Sequence, residues 1–184
     1  MPFDAKAYGP AVAELLALDG DGQRLMPLVA AGSDCAVSGR IAGRKASDMF
    51  SGATAPDAAL AGLYLYFSCF EEAHKIAQEI ATREGSFWHG ILHRQEPDSG
   101  NAAYWFRRVG QHATFPRLYS AAEEIVKQYP EAEFRLGSAW DPFSFIMFCE
   151  RARQQPGSPS ERAALEIQRA EWQLLFDFCA RPPA

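Results

Sequence analysis

All four histidines of the chain, His74, His89, His93 and His112, lie in the short stretch from residue 71 to residue 112. Imidazole is the side chain best suited to holding a transition metal or moving a proton near neutral pH. If residues 87–96 form a helix, His89, His93 and Glu96 stand at i, i+4 and i+7 and share an arc of about 60°. Phe87, Trp88, Ile91 and Leu92 define the adjoining apolar arc, so the polar stripe borders the core. On the preceding segment Glu71 and His74 are spaced i, i+3 and point to one side. Antiparallel packing about a turn near residues 82–85 would bring His74 to His89. His74, His89, His93 and Glu96 then make a first shell for a divalent Zn, Fe, Ni or Mn ion. The pattern departs from the zincin motif, because Gly90 takes the place of the glutamate base. It departs from di-iron bundles too, since only Glu71 and His74 keep the Glu-x-x-His order. The competing expectation is plain: a His-x-x-x-His pair arises readily by chance, and such residues often make hydrogen bonds at the edge of a core.

A second group follows directly: Arg94, Asp98, Asn101, Tyr104, Arg107, Arg108 and His112, gathered around a loop and a helix start. Helix N-termini attract anions, and arginine offers a forked donor to phosphate or carboxylate, so a small anionic or phosphorylated molecule suits this group. The alternative assigns Asp98 and Asn101 to turn and cap contacts, Trp105 and Phe106 to the core, and the arginines to pairs with acids such as Glu96.

Between Trp88 and Gly110 the order Trp88-His89, His93-Arg94, Glu96, Asp98, Asn101, Tyr104-Trp105 and Arg107 resembles a family of bacterial and fungal hypothetical proteins. The likeness extends over residues 60–116. It implies where a site lies and carries no activity with it.

The elements that must position these residues read as helices throughout. β-Branched residues are few and no run alternates convincingly, which leaves little to build a sheet from. A first helix is expected over 5–18, stopped by Asp19-Gly20-Asp21-Gly22, with a short one around 24–31. Residues 32–53 stay open between a short helix and an ordered loop. Thr54-Ala55-Pro56-Asp57 reads as a cap leading into one long helix to about residue 82. Ser86 is expected to cap the helix 87–96, and Asn101 a helix running through Val109. Pro116 and Asp141-Pro142 open two more, and Ser158-Pro159-Ser160-Glu161 forms a capping box ahead of a last helix reaching Cys179. A single all-α domain over residues 1–184, a bundle of six to eight helices, follows.

Composition narrows the function classes. The net charge of −5 gives no general attraction to nucleic acid or to an anionic membrane. The longest uncharged stretch, residues 58–70, is too short to span a bilayer. Cys35, Cys69, Cys149 and Cys179 form no Cys-x-x-Cys pair and read as reduced thiols, three of them filling the core. The first residues lack the basic and apolar regions of a secretory signal, and a cytoplasmic location is expected. Two functions remain: a metal-dependent enzyme of small, anionic molecules, and a non-catalytic helical module binding a small ligand or partner protein through the same cluster.

Overall fold

The computed structural model describes residues 3–30, 35 and 37–183, and within these it contains ten α-helices and no strand. They are α1 (Pro10–Leu16), α2 (Ser38–Ile41), α3 (Ala46–Met49), α4 (Pro56–Tyr66), α5 (Phe70–Ala77), α6 (Arg83–Gln95), α7 (Ser99–Val109), α8 (Phe115–Gln128), α9 (Pro142–Ala152) and α10 (Pro159–Ala180). Short 3-10 turns flank α1 at Ala5–Tyr8 and Ala17–Gly22. The all-α expectation therefore holds.

Where helices begin, the local chemistry is visible. Asp141 accepts from the amides of Phe143 and Ser144, with Pro142 at the first helical position. Ser158 accepts from the Glu161 amide, and Glu161 Oε2 reaches back to the amide of Gly157. Two long-range ties close the bundle around α4 and α10. The Trp172 indole donates to the Gly62 carbonyl at 2.8 Å. Gln168 donates to the carbonyls of Met26 and Pro27. Aromatic residues from several elements converge here, with Phe3, Tyr66 and Phe176 all against Trp172.

Several boundaries differ from the sequence expectation. The long helix over 54–82 is two helices: Ser68 adopts φ +59° and the chain turns there before α5 starts. Thr54 does not cap α4, because its amide and hydroxyl both bond the carbonyl of Arg181 at the end of α10. No helix forms over 24–30. Arg24 binds the carbonyl of Tyr66 and the hydroxyl of Ser68, so this strand of chain is held by α4. Residue 31, the end of that expected helix, lies outside the described residues. Helix α6 starts at Arg83 and runs through Gly85, where a Cβ would stand 2.4 Å from the Ile80 carbonyl oxygen. Here glycine permits a close approach and ends nothing. Ser86 is accordingly internal to the helix and bonds the Thr82 carbonyl. Asp98, not Asn101, caps α7. The cysteine expectation fails for one pair: Cys35 and Cys69 form a disulfide, while Cys149 and Cys179 are free and buried. Within residues 32–53, the described part holds α2 and α3. No helix among the described residues is long and apolar enough to cross a membrane.

Two polar pairs sit inside this apolar frame. Arg94 of α6 is 1% exposed and meets Glu171 of α10, also 1% exposed, through both Nη atoms, with Gln168 accepting from Nη2 at 3.3 Å. The Phe145 ring lies 4.5 Å from the guanidinium carbon. Toward the other end of α6, His112 Nε2 lies 3.6 Å from Glu84 Oε1, and its Nδ1 contacts Thr114 Oγ1 at 2.8 Å. The His112 contact holds the Glu84 carboxyl down at about 2, against an ordinary value of 4.5.

Replacing Arg94 by Met should cost about 3–5 kcal/mol, because it strands the Glu171 charge in the core. The double variant Arg94→Met, Glu171→Met should recover most of that loss; equal stability of single and double variants in urea melts would refute the pairing. Trp172→Ala should cost about 3–5 kcal/mol by leaving a cavity, so a wild-type melting temperature would show it misplaced. Glu84 has a lower pKa folded than unfolded, so the folded state binds fewer protons between pH 4.5 and about 2 and loses stability as pH falls through that window. Glu84→Gln should flatten the stability profile across it, and an unchanged slope would contradict the assignment.

Candidate metal centre

The site is assembled from α5, α6 and α7. Helix α5 is eight residues long and turns Ala73 and Ala77 inward, which leaves His74 on its flank. Helix α6 buries Phe87, Trp88, Ile91 and Leu92 and carries His89 and His93 along the adjoining edge. The chain reverses between Gln78 and Thr82, so α5 and α6 face each other across a short turn. Helix α7 packs tightly on α6 at Gly90, where a Cβ would stand 2.8 Å from the Phe106 ring. This contact gives Gly90 a structural reason to occupy the place a zincin gives to its base.

The three imidazoles converge. His74 Nε2 and His89 Nε2 are 3.1 Å apart, and one donor atom from each of His74, His89 and His93 lies within 4.8 Å of the others. Two nitrogens bound tetrahedrally to one zinc ion stand about 3.3 Å apart, given bonds of 2.0–2.1 Å, so the His74–His89 pair already has coordination spacing and the third ring has further to close. The ring planes of His89 and His93 are nearly parallel, 4.9 Å between centroids, while His74 stands at right angles to both. Glu96 Oε2 approaches His93 Nδ1 to 2.7 Å, off the line of an aligned hydrogen bond. His89 Nδ1 is buried and finds no hydrogen-bond partner among the described residues. Burial, followed by the proximity of His74 and His93, pushes the His89 pKa down to about 4, so its ring is neutral at pH 7 and its lone pair available.

One wall of the site is aromatic. Trp105 of α7 stacks on His89 with centroids 3.9 Å apart and planes 20° from parallel. Arg108 lies over Trp105 at 5.4 Å and over the half-exposed ring of Tyr104 at 6.0 Å. Glu71, Glu72, His74, Lys75 and Gln78 line a surface depression of ≈ 400 Å³ that reaches the site at His74.

The residues singled out from sequence thus separate into groups. His74, His89 and His93 come together, and Glu96 stands behind His93, outside the triad of donor atoms. Arg108 reaches the neighbourhood through Trp105. Arg94, grouped from sequence with the anion-binding residues, turns instead into the core onto Glu171. Asp98 and Asn101 satisfy each other and the start of α7, with bonds of 3.0 Å to the Asn101 amide and 2.7 Å from its side chain. Arg107 faces a separate depression beside Trp140 and Phe143, and His112 is taken up by Glu84 and Thr114. The stacking role of Trp105, given to the core from sequence, and the rim positions of Lys75 and Gln78 were not anticipated. Gln78 does lie one turn beyond His74, the spacing that could have indicated it. No family model, curated protein or solved structure matches the chain.

Proposed function

We propose that the protein is a metal-dependent enzyme of small, anionic molecules, with a mononuclear divalent cation held by His74, His89 and His93. The observation that carries this reading is the convergence of three imidazole nitrogens within 4.8 Å beside an open depression. A ligand set of three nitrogens without thiolate suits Zn, Ni, Co, Cu or Fe, and disfavours Mg and Ca, which seek oxygen. Such a centre keeps a coordination position for water or a substrate oxygen, and can lower the pKa of bound water to about 7 or polarise a carbonyl or phosphoryl group.

The chain's own residues divide the remaining work. Glu96, close to His93 Nδ1, stands behind that ring, where an outer carboxylate supports a ligating imidazole. Trp105 covers the face of His89 and keeps water from it. Lys75 at the depression and Arg108 over Trp105 supply positive charge on two sides of the site, where an anionic group would be received. With Arg94 in the core, these two cations carry the case for an anionic substrate, against the carboxylates of Glu71 and Glu72 in the same depression. The non-catalytic reading, a module that binds a small ligand through the same cluster, draws support from the existing His74–His89 contact, which satisfies two imidazole nitrogens by itself.

Metal analysis of purified protein after equilibration with Zn, Co, Ni, Mn or Fe should find one equivalent per chain. His89→Ala and His93→Ala should abolish it, while Glu96→Gln should weaken affinity about 10- to 100-fold. A wild-type protein that binds none of these metals sinks the proposal. Binding without turnover of phosphate esters, carboxylate esters or amides transfers the case to the binding module.

A further inference from the structure

We infer that the Cys35–Cys69 disulfide is a redox control on this metal centre: reduction by a cellular dithiol loosens α5 and lowers the affinity of the three histidines for a divalent cation. The inference rests on the metal reading above and adds the regulation of the same site.

The three donors are unequally supported. His89 and His93 share α6, a helix of thirteen residues whose setting is locked by the buried Arg94–Glu171 pair. His74 comes alone from α5, which has eight residues, fewer than a helix needs to persist without help from its surroundings. The start of α5 lacks a side-chain cap, and the residue before its N-cap, Ser68, holds the sparsely populated φ of +59°. The N-cap itself is Cys69, fully buried, and the disulfide joins it to Cys35 across a sequence separation of 34 that takes in α2, α3 and α4. His74 lies five residues beyond this anchor, a little more than one turn. The covalent bond thus stands where a capping side chain would otherwise hold the helix end.

Exchange enters at the partly exposed member of the pair. A thiolate of the dithiol attacks Cys35 Sγ; the bond between the cysteines breaks, and its electron pair leaves on Cys69 Sγ, which takes up a proton. The second thiol of the reductant then attacks the mixed disulfide, releases Cys35 as a thiol and leaves the reductant as its own disulfide, so two electrons pass to the protein. The other two cysteines take no part, being buried on α9 and α10, with burial raising the Cys149 thiol to about 12. A cytoplasmic setting, the location expected from sequence, would keep the bond in exchange with such reductants.

The test compares the oxidised protein, the protein reduced with a phosphine that is then removed, and the Cys35→Ser, Cys69→Ser double variant, which carries no thiolate at this position to bind metal. Cobalt(II) titration followed by visible absorption should show affinity at least about tenfold weaker in the reduced and serine forms, the scale on which loss of a ligand's support is felt. Amide hydrogen exchange should rise over residues 70–77 on reduction while α6 stays protected. Equal cobalt affinity in all three forms overturns the redox control and leaves the metal reading intact. Absence of cobalt binding in every form overturns the metal reading and the control with it. Unchanged exchange over residues 70–77 shows that the disulfide does not hold α5 and overturns the control whatever the affinities. Circular dichroism of the double variant checks that it folds, and the reduced wild-type chain carries the comparison if it does not.

Discussion

A single buried charge pair decides how α6 sits in this molecule. Arg94 and Glu171 are both removed from water, and an unpartnered charge in that position would destabilise the fold by several kcal/mol. Rotating α6 about its axis, or sliding it along α10, would break the two-pronged contact and leave Gln168 without its arginine partner. Neighbouring helical residues are about 100° apart around the axis, so fixing Arg94 toward α10 turns His93 away from it. His89, one turn earlier, follows on the same side. The residue expected to greet a substrate instead aims the residues that converge on the site.

From that fixed edge the rest of the site is local packing. Gly90 lets α7 approach closely enough for Trp105 to lie flat on His89, and the short turn after α5 sets His74 at right angles to both other rings. Desolvation and the neighbouring rings keep His89 unprotonated near neutrality, the state a metal or a proton donor requires of it. The depression beside α5 reaches His74 and carries Lys75, while Arg108 lies over Trp105.

Much of this was legible in the residues. Capping chemistry at Asp141 and Ser158 located two helix starts, and the i, i+4 spacing put His89 and His93 on one face because helical periodicity is a local property. What escaped was decided by distant partners. Arg94 reads as a surface arginine until Glu171, at a sequence separation of 77, is brought to it. Cys35 and Cys69 carry no spacing signature, and only the tertiary fold sets them together. Thr54 has the right chemistry for a cap, yet the carbonyl of Arg181 competes for it. The turn expected near residues 82–85 ends earlier, because a lone sequence cannot show that Ile80 packs against the α-carbon of Gly85.

The sequence separation of these contacts also bears on the order in which they form. His74 and His89 are 15 residues apart, and the turn between their helices spans a handful of residues, so the donors can meet at little loop-closure cost. The Arg94–Glu171 lock requires α10, whose glutamate lies 77 residues further along the chain than its arginine. During synthesis the imidazoles would therefore come within reach of one another before the core that later orients them is complete. A cation captured then would bind the incompletely folded chain as well as the finished one. The stabilisation it lends the native state would be smaller by that share.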